Sequence, residues 1–219
     1  MAQDFVDTEF SPGDWTAIVL DDEDGVFSFL ESQVGGGGNP GAYRQFVHVT
    51  STGDGANDGP DVVLGHLRNG ATWDPGTQGA VERISCGLDG RVFSTTTSGD
   101  AIAFRILLRQ SGTVFVGPVG VVLLANGWLT ISQPDLDASD FENLESWTVG
   151  GSIENPDFSG EGDVMEFGFV TANGTTQFEA MHNIGGVDNW FVSIQALGAV
   201  DVPESVRSSS WGGVKAGYR

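Results

Sequence analysis

Basic side chains are scarce: nine Lys and Arg stand against 30 Asp and Glu in 219 residues, a formal charge of −21. A field of that sign repels phosphate backbones and anionic lipid surfaces, so nucleic acid and acidic membranes are poor partners, while divalent cations and neutral polar ligands are favoured. Cysteine occurs once, at Cys86. An intramolecular disulfide is therefore excluded, the redox compartment stays open, and a buried inert thiol is expected. No run approaches the roughly 20 apolar residues of a membrane-spanning helix. The segment from Met1 to Phe5 lacks the basic, apolar character of a leader, so the expectation is a chain from which any signal peptide has gone. Long amphipathic helices and repeats of solenoid period are missing too.

Period-two alternation takes their place. From Ala101 to Gln110, Ile102, Phe104, Ile106 and Leu108 fall on one face and Arg105 and Arg109 on the other, the pattern of a half-buried strand. Comparable runs occupy Trp15 to Leu20, Val26 to Val34, Tyr43 to Thr50, Asp61 to Leu67, Val81 to Cys86, Thr113 to Val122, Trp128 to Ser132, Val164 to Thr171 and Asn189 to Leu197. Turn dipeptides punctuate them at Asp24-Gly25, Asn69-Gly70, Asp89-Gly90, Asn126-Gly127 and Asn173-Gly174. About ten strands with such turns predict an all-β, two-sheet antiparallel sandwich of jelly-roll kind. One short helix is expected near Ala138 to Leu144, capped by Asp137 or Ser139. Ser51 to Pro60 and Asn69 to Gly79 have the composition of exposed functional loops. The domain is expected over residues 1–197, followed at 198–219 by a tail that ends in a basic, aromatic segment from Trp211 to Arg219.

Gly37-Gly38-Asn39-Pro40-Gly41-Ala42-Tyr43-Arg44 resembles the GGNPGGY-type segment of laminin IV (laminin B) domains and their bacterial relatives. Asn155-Pro156-Asp157-Phe158-Ser159, Met165-Glu166-Phe167-Gly168-Phe169 and Gly186-Val187-Asp188-Asn189-Trp190 are similar to the distal half of exported bacterial sandwich domains of laminin or carbohydrate-binding type. The resemblance spans roughly Asp4 to Leu197. It implies a jelly roll, a secreted or cell-surface setting, and adhesive or glycan-binding work. Jelly-roll binding modules often hold a structural calcium where the first strand, an early Gly-rich loop and the last strand meet. The matching oxygen donors are Asp7, Glu9, Asn39 and Asp188.

Sugar binding needs flat aromatic faces with hydrogen-bonding groups beside them. Trp73, in a loop of Gly, Asn, Asp and Pro, is the first candidate and Trp147 the second; Trp15, Trp128 and Trp190 belong to strands and are expected in the core or covering it. Catalytic signatures are absent. Asp163 and Glu166 are spaced by three, which turns them to opposite faces of a strand, and His48, His66 and His182 have no metal-ligand spacing. Asp54 to Gly65 fails the EF-hand rule at its third and twelfth places. Two other readings stay open: a self-assembling surface or matrix protein that docks through sheet edges or the Trp211 to Arg219 tail, and a lyase or hydrolase whose residues converge from distant strands.

Overall fold

Ile102, Phe104, Ile106 and Leu108 do face inward together, against Phe46, Phe167, Phe169 and Trp190, and this burial sets the architecture. A computed structural model describes residues 2–22, 28–49, 62–95, 101–144, 154–174 and 182–198. Among them thirteen strands form: β1 (Ala2–Asp7), β2 (Trp15–Asp22), β3 (Ser28–Gly38), β4 (Gly41–Val49), β5 (Val62–Trp73), β6 (Val81–Ser94), β7 (Ala101–Gln110), β8 (Thr113–Val116), β9 (Gly120–Leu123), β10 (Leu129–Leu136), β11 (Glu142–Asn143), β12 (Met165–Asn173) and β13 (His182–Ala196). The first sheet runs β10-β6-β13-β4-β3, with β1 paired to β13. The second runs β11-β8-β7-β12-β5-β2, with β9 paired to β7. All described pairings are antiparallel, and the chain passes back and forth between the sheets, as in a jelly roll.

β13 spans the first sheet and serves two neighbours on one side: its first half pairs with β4 and its second with β1. A bulge separates the halves, where the register with β6 shifts between Asp188 and Phe191 and Asn189 adopts φ 51. One extra residue resets the side-chain parity. Val187 points inward, Asp188 outward, and Trp190 inward again, where it is 1% exposed and meets Trp15 edge-on at 5.1 Å.

Several expectations from the sequence give way. β5 continues through Asn69-Gly70 to Trp73, with Gly70 at φ 80, so Asn69 to Gly79 is not a structureless loop. It ends in a single helical turn, α1 (Pro75–Gln78), where the Asp74 carboxylate accepts from the Gly76 N–H at 3.0 Å. Asp89-Gly90 lies inside β6; there the glycine makes room for Phe104 and Val122. The expected helix near Ala138 is one 3-10 turn, Ala138–Asp140, capped by Asp137 and followed by β11. Thr113 to Val122 breaks into β8 and β9 around Pro118, which has no N–H for a ladder. Ser51 to Pro60, Trp147 and the Trp211 to Arg219 tail lie outside the described residues.

One close approach is testable. A Cβ on Gly168 of β12 would lie 1.9 Å from the His66 carbonyl oxygen and 2.9 Å from Leu67 Cα, both backbone atoms in β5. No side-chain rotation relieves that contact. Gly168→Ala is expected to cost about 3 kcal/mol or more, read as a lower urea midpoint, whereas Gly112→Ala, with open space around it, carries only the strain of its positive φ.

Candidate functional site

The two outer faces differ. On the second sheet, Val63, Leu67, Leu107, Val116 and Val170 are themselves buried in an apolar cluster with Leu144, so that face is covered. On the first sheet the outward residues of β6, β13 and β4 around Gly186 are polar, aromatic or glycine, with the aliphatic Val47, Val49 and Ile184 toward one end. They build a platform.

Tyr43 of β4 and Phe93 of β6 lean toward each other across Gly186 of β13, with ring centroids 5.2 Å apart. The glycine is required there: a Cβ at 186 would stand 2.8 Å from each ring. Trp128, just before β10, meets both rings edge-on, at 5.5 Å from Tyr43 and 5.8 Å from Phe93. Its indole N–H donates to the Gly37 carbonyl at 3.1 Å, which ties the platform to the Gly-rich turn between β3 and β4. Trp128 and Phe93 keep partial exposure, whereas Tyr43 is buried beneath them. Arg91 lies over the Phe93 ring at 4.8 Å and near Trp128 at 6.0 Å. Gln45 donates to the Tyr43 hydroxyl at 3.2 Å.

A carboxylate and amide knot fixes the rim. Asp89 and Asp188 are cross-strand partners on the outer face, both buried. The Asp188 carboxylate accepts the backbone N–H of Asn39 and, at 2.6 Å, that of Asn189. Asp89 accepts from Thr130 Oγ1 at 2.6 Å, Asn189 Nδ2 at 2.6 Å and Asn39 Nδ2 at 3.1 Å. Thus the GGNPG turn, β6 and the β13 bulge are locked together, with the side chains of Asn39 and Thr130 beside the rings.

The expected calcium donors do not form one shell. On the outer face the Asp188 carboxylate accepts the backbone N–H of Asn39, a hydrogen bond in place of a shared cation. Asp7 pairs with Trp190 in the β1–β13 register and faces inward. Its carboxylate accepts the N–H groups of Glu9 (2.9 Å) and Phe10 (2.7 Å), the Trp15 indole N–H (2.9 Å) and Arg68 Nε (2.8 Å). Cationic and N–H donors thus occupy the oxygens that a metal would need, and Asp188 stands on the other side of the sheet. Glu9 follows Asp7 in that turn, and its carbonyl accepts from Gln33. Among the described residues no group of three or more His, Cys, Asp or Glu is arranged to hold a metal ion.

Trp73 is also placed elsewhere. It is 0% exposed, its indole N–H donates to the Gly79 carbonyl at 3.0 Å, and its ring belongs to the core; a stacking role at the surface is closed to it. The polar loop composition around it belongs instead to a strand end and a capped turn. Trp15 and Trp190 are core, as expected for strand tryptophans, and Trp128 covers the sheet. Asp163 and Glu166 diverge: Asp163 accepts from the Ser111 hydroxyl, and Glu166 accepts from Arg109 Nε at 2.6 Å.

A second polar assembly lies between the sheets. His48 contacts Asn173 Oδ1 at 2.6 Å and Thr171 Oγ1 at 3.0 Å, and Thr171 lies 3.5 Å from His66 Nε2. Arg44 Nε donates to His66 Nδ1 at 3.2 Å and pairs through its other end with Glu31. Burial holds both imidazoles well below their ordinary 6.5, His48 at about 3 and His66 at about 4. Cys86 is buried as well, and desolvation pushes its thiol up to about 12. These groups support the fold and are closed to a polymer.

No family model matches the chain, and no curated protein matches it, so the laminin IV resemblance of the Gly37 to Arg44 motif gains no counterpart at family level. Solved structures do match. A family 11 carbohydrate-binding module from Clostridium thermocellum in complex with a β-1,3-1,4-mixed-linked tetrasaccharide is 14% identical, covers 88% of this chain and 95% of its own, and has a TM-score of 0.47. The family 11 module of the cellulosomal cellulase Lic26A-Cel5E of Clostridium thermocellum is 14% identical over 92% and 98%, with a TM-score of 0.48. The CBM22-1-GH10 modules of Clostridium thermocellum endo-1,4-β-D-xylanase 10B, complexed with xylohexaose, are 11% identical over 90% of this chain and 29% of theirs, with a TM-score of 0.42.

Proposed function

We propose that this chain is a non-catalytic glycan-binding module acting on polymers outside the cell, with its ligand lying along the outer face of the first sheet. One observation carries the reading: Phe93 and Trp128 rest partly exposed over Tyr43 and a side-chain-free Gly186, with Asn39, Thr130, Gln45 and Arg91 around them. Ring faces stack on pyranose CH groups, and the flanking amides, hydroxyl and guanidinium hydrogen-bond sugar hydroxyls. An open, shallow face suits an extended chain, since no enclosure of the ligand ends is needed. The hydrogen-bonded carboxylates of Asp89 and Asp188 position loops instead of reacting.

Titration of the full chain with soluble polysaccharides tests this. Trp128→Ala and Phe93→Ala are each expected to weaken binding about tenfold, the loss of roughly one aromatic stack, with little change in thermal midpoint because both rings lie outside the core. Unchanged affinity in both variants would reject the platform.

A further inference from the structure

Arg91 is anomalous in an acidic protein. Arg44 pairs with Glu31, Arg68 with Asp7 and Asp14, Arg83 with Asp137 and Arg109 with Glu166, while Arg105 lies in the field of Glu142. Arg91 makes no ion pair and no hydrogen bond among the described residues. Its Nε is enclosed with no partner, and its half-buried guanidinium is held by ring contacts alone. Asp89 stands two residues away on the same face, yet its oxygens are taken by Thr130, Asn39 and Asn189. Left unmatched among the described residues, beside a stacking platform, this guanidinium is available to a complementary anionic group on a ligand. A guanidinium presents a planar fork of donors that fits a carboxylate bidentately, and the stacked rings keep that fork in one plane at little entropic cost.

We propose that Arg91 determines specificity on this face and that the glycan it takes carries carboxylates, a uronate-containing polysaccharide. This inference rests on the platform reading. A pyranose stacked on Trp128 brings its substituents within reach of the Arg91 guanidinium, which lies over the Phe93 ring at 4.8 Å and 6.0 Å from the Trp128 centroid. The chain's overall negative charge opposes an anionic polymer only at long range, because the Debye length is about 8 Å at physiological salt, whereas the contact with Arg91 is local and partly desolvated. Binding is therefore strongest where uronates are spaced among neutral sugars.

The full chain is titrated with partially methyl-esterified polygalacturonate, with the fully esterified polymer of the same backbone, and with neutral β-glucan and xylan, at low and at physiological salt. The expected result is binding to the partially esterified polymer that falls about tenfold or more on full esterification and that weakens with salt. Arg91→Gln is expected to lose that difference, and Arg91→Lys to recover part of it, with both variants keeping the wild-type thermal midpoint. Equal affinity for charged and fully esterified polymer, or binding confined to neutral glucan or xylan, overturns the uronate assignment and leaves the platform standing. No binding to any of the polymers overturns both. The comparison of polymers on the wild-type chain needs no variant to fold.

Discussion

Between pH 6.5 and pH 4 the protein is expected to lose on the order of 5 kcal/mol of folding stability. His48 and His66 are fully buried, and desolvation, the largest cause, holds them at about 3 and about 4. Once unfolded, each titrates near its ordinary 6.5. Below that value the unfolded chain takes up protons that the folded chain refuses, so stability is complete above pH 6.5 and drains as the pH falls toward the folded values. Glu31 acts in the same direction. Its own desolvation would raise it, but its hydrogen bond to His66 and its attraction to Arg44 together hold it below 4.5, and protonating it strips Arg44 of its partner. Urea unfolding followed by tryptophan fluorescence at pH 7, 5.5 and 4.5 measures this directly. A flat profile down to pH 4.5 would mean that the imidazoles reach water. His48→Gln, which keeps polar atoms toward Asn173 and Thr171 and cannot titrate, is expected to remove about half of the pH dependence.

Asp7→Ala is expected to destabilise the protein by about 3 kcal/mol. The carboxylate is 6% exposed and accepts four donors. Its loss leaves the Trp15 indole N–H and the N–H groups of Glu9 and Phe10 without an acceptor, and Arg68 with only Asp14 as a carboxylate partner. Arg68 keeps about a quarter of its surface, which sets the cost toward the lower end for a broken buried pair. The same geometry separates two views of the β1 end. If Asp7 closes the sandwich through Arg68 and Trp15, the thermal midpoint falls in Asp7→Ala and is indifferent to calcium or chelator in the wild type. A midpoint that rises with calcium and loses that response in Asp7→Ala would place a cation there instead.

How much was legible in the sequence varies by element. β7 reads plainly because every second side chain from Ile102 to Leu108 is apolar and Arg105 and Arg109 fall on the other face; the burial of Leu107 on that other face is not visible in the same pattern. β1 leaves almost none. Its six residues, Ala2–Asp7, join the sheet by backbone pairing to β13, and Phe5 is its main apolar contribution to the core. Glycine-containing dipeptides mislead where the glycine does not close a hairpin: Gly90 makes room for Phe104 and Val122 within β6, and Gly70 takes a positive φ within β5. The tryptophans divide the same way. Trp73 sits in polar sequence and is buried, because the residues after it form a capped turn that returns over the ring; Trp128 sits beside an alternating strand and stays partly exposed on the sheet.

The sequence by itself determined the all-β class, the inward set of β7, the lack of a disulfide and the acidic character, since each follows from residue type or from period two along a single segment. Only the tertiary structure decided that Asp7 and Asp188 lie on opposite sides of one sheet, that Tyr43, Phe93 and Trp128 converge over Gly186, and that Arg91 stands among them with no ion-pair partner among the described residues. Those outcomes depend on which strands become neighbours and on one extra residue at Asn189, and strand adjacency between segments far apart in sequence leaves no periodic mark in either of them.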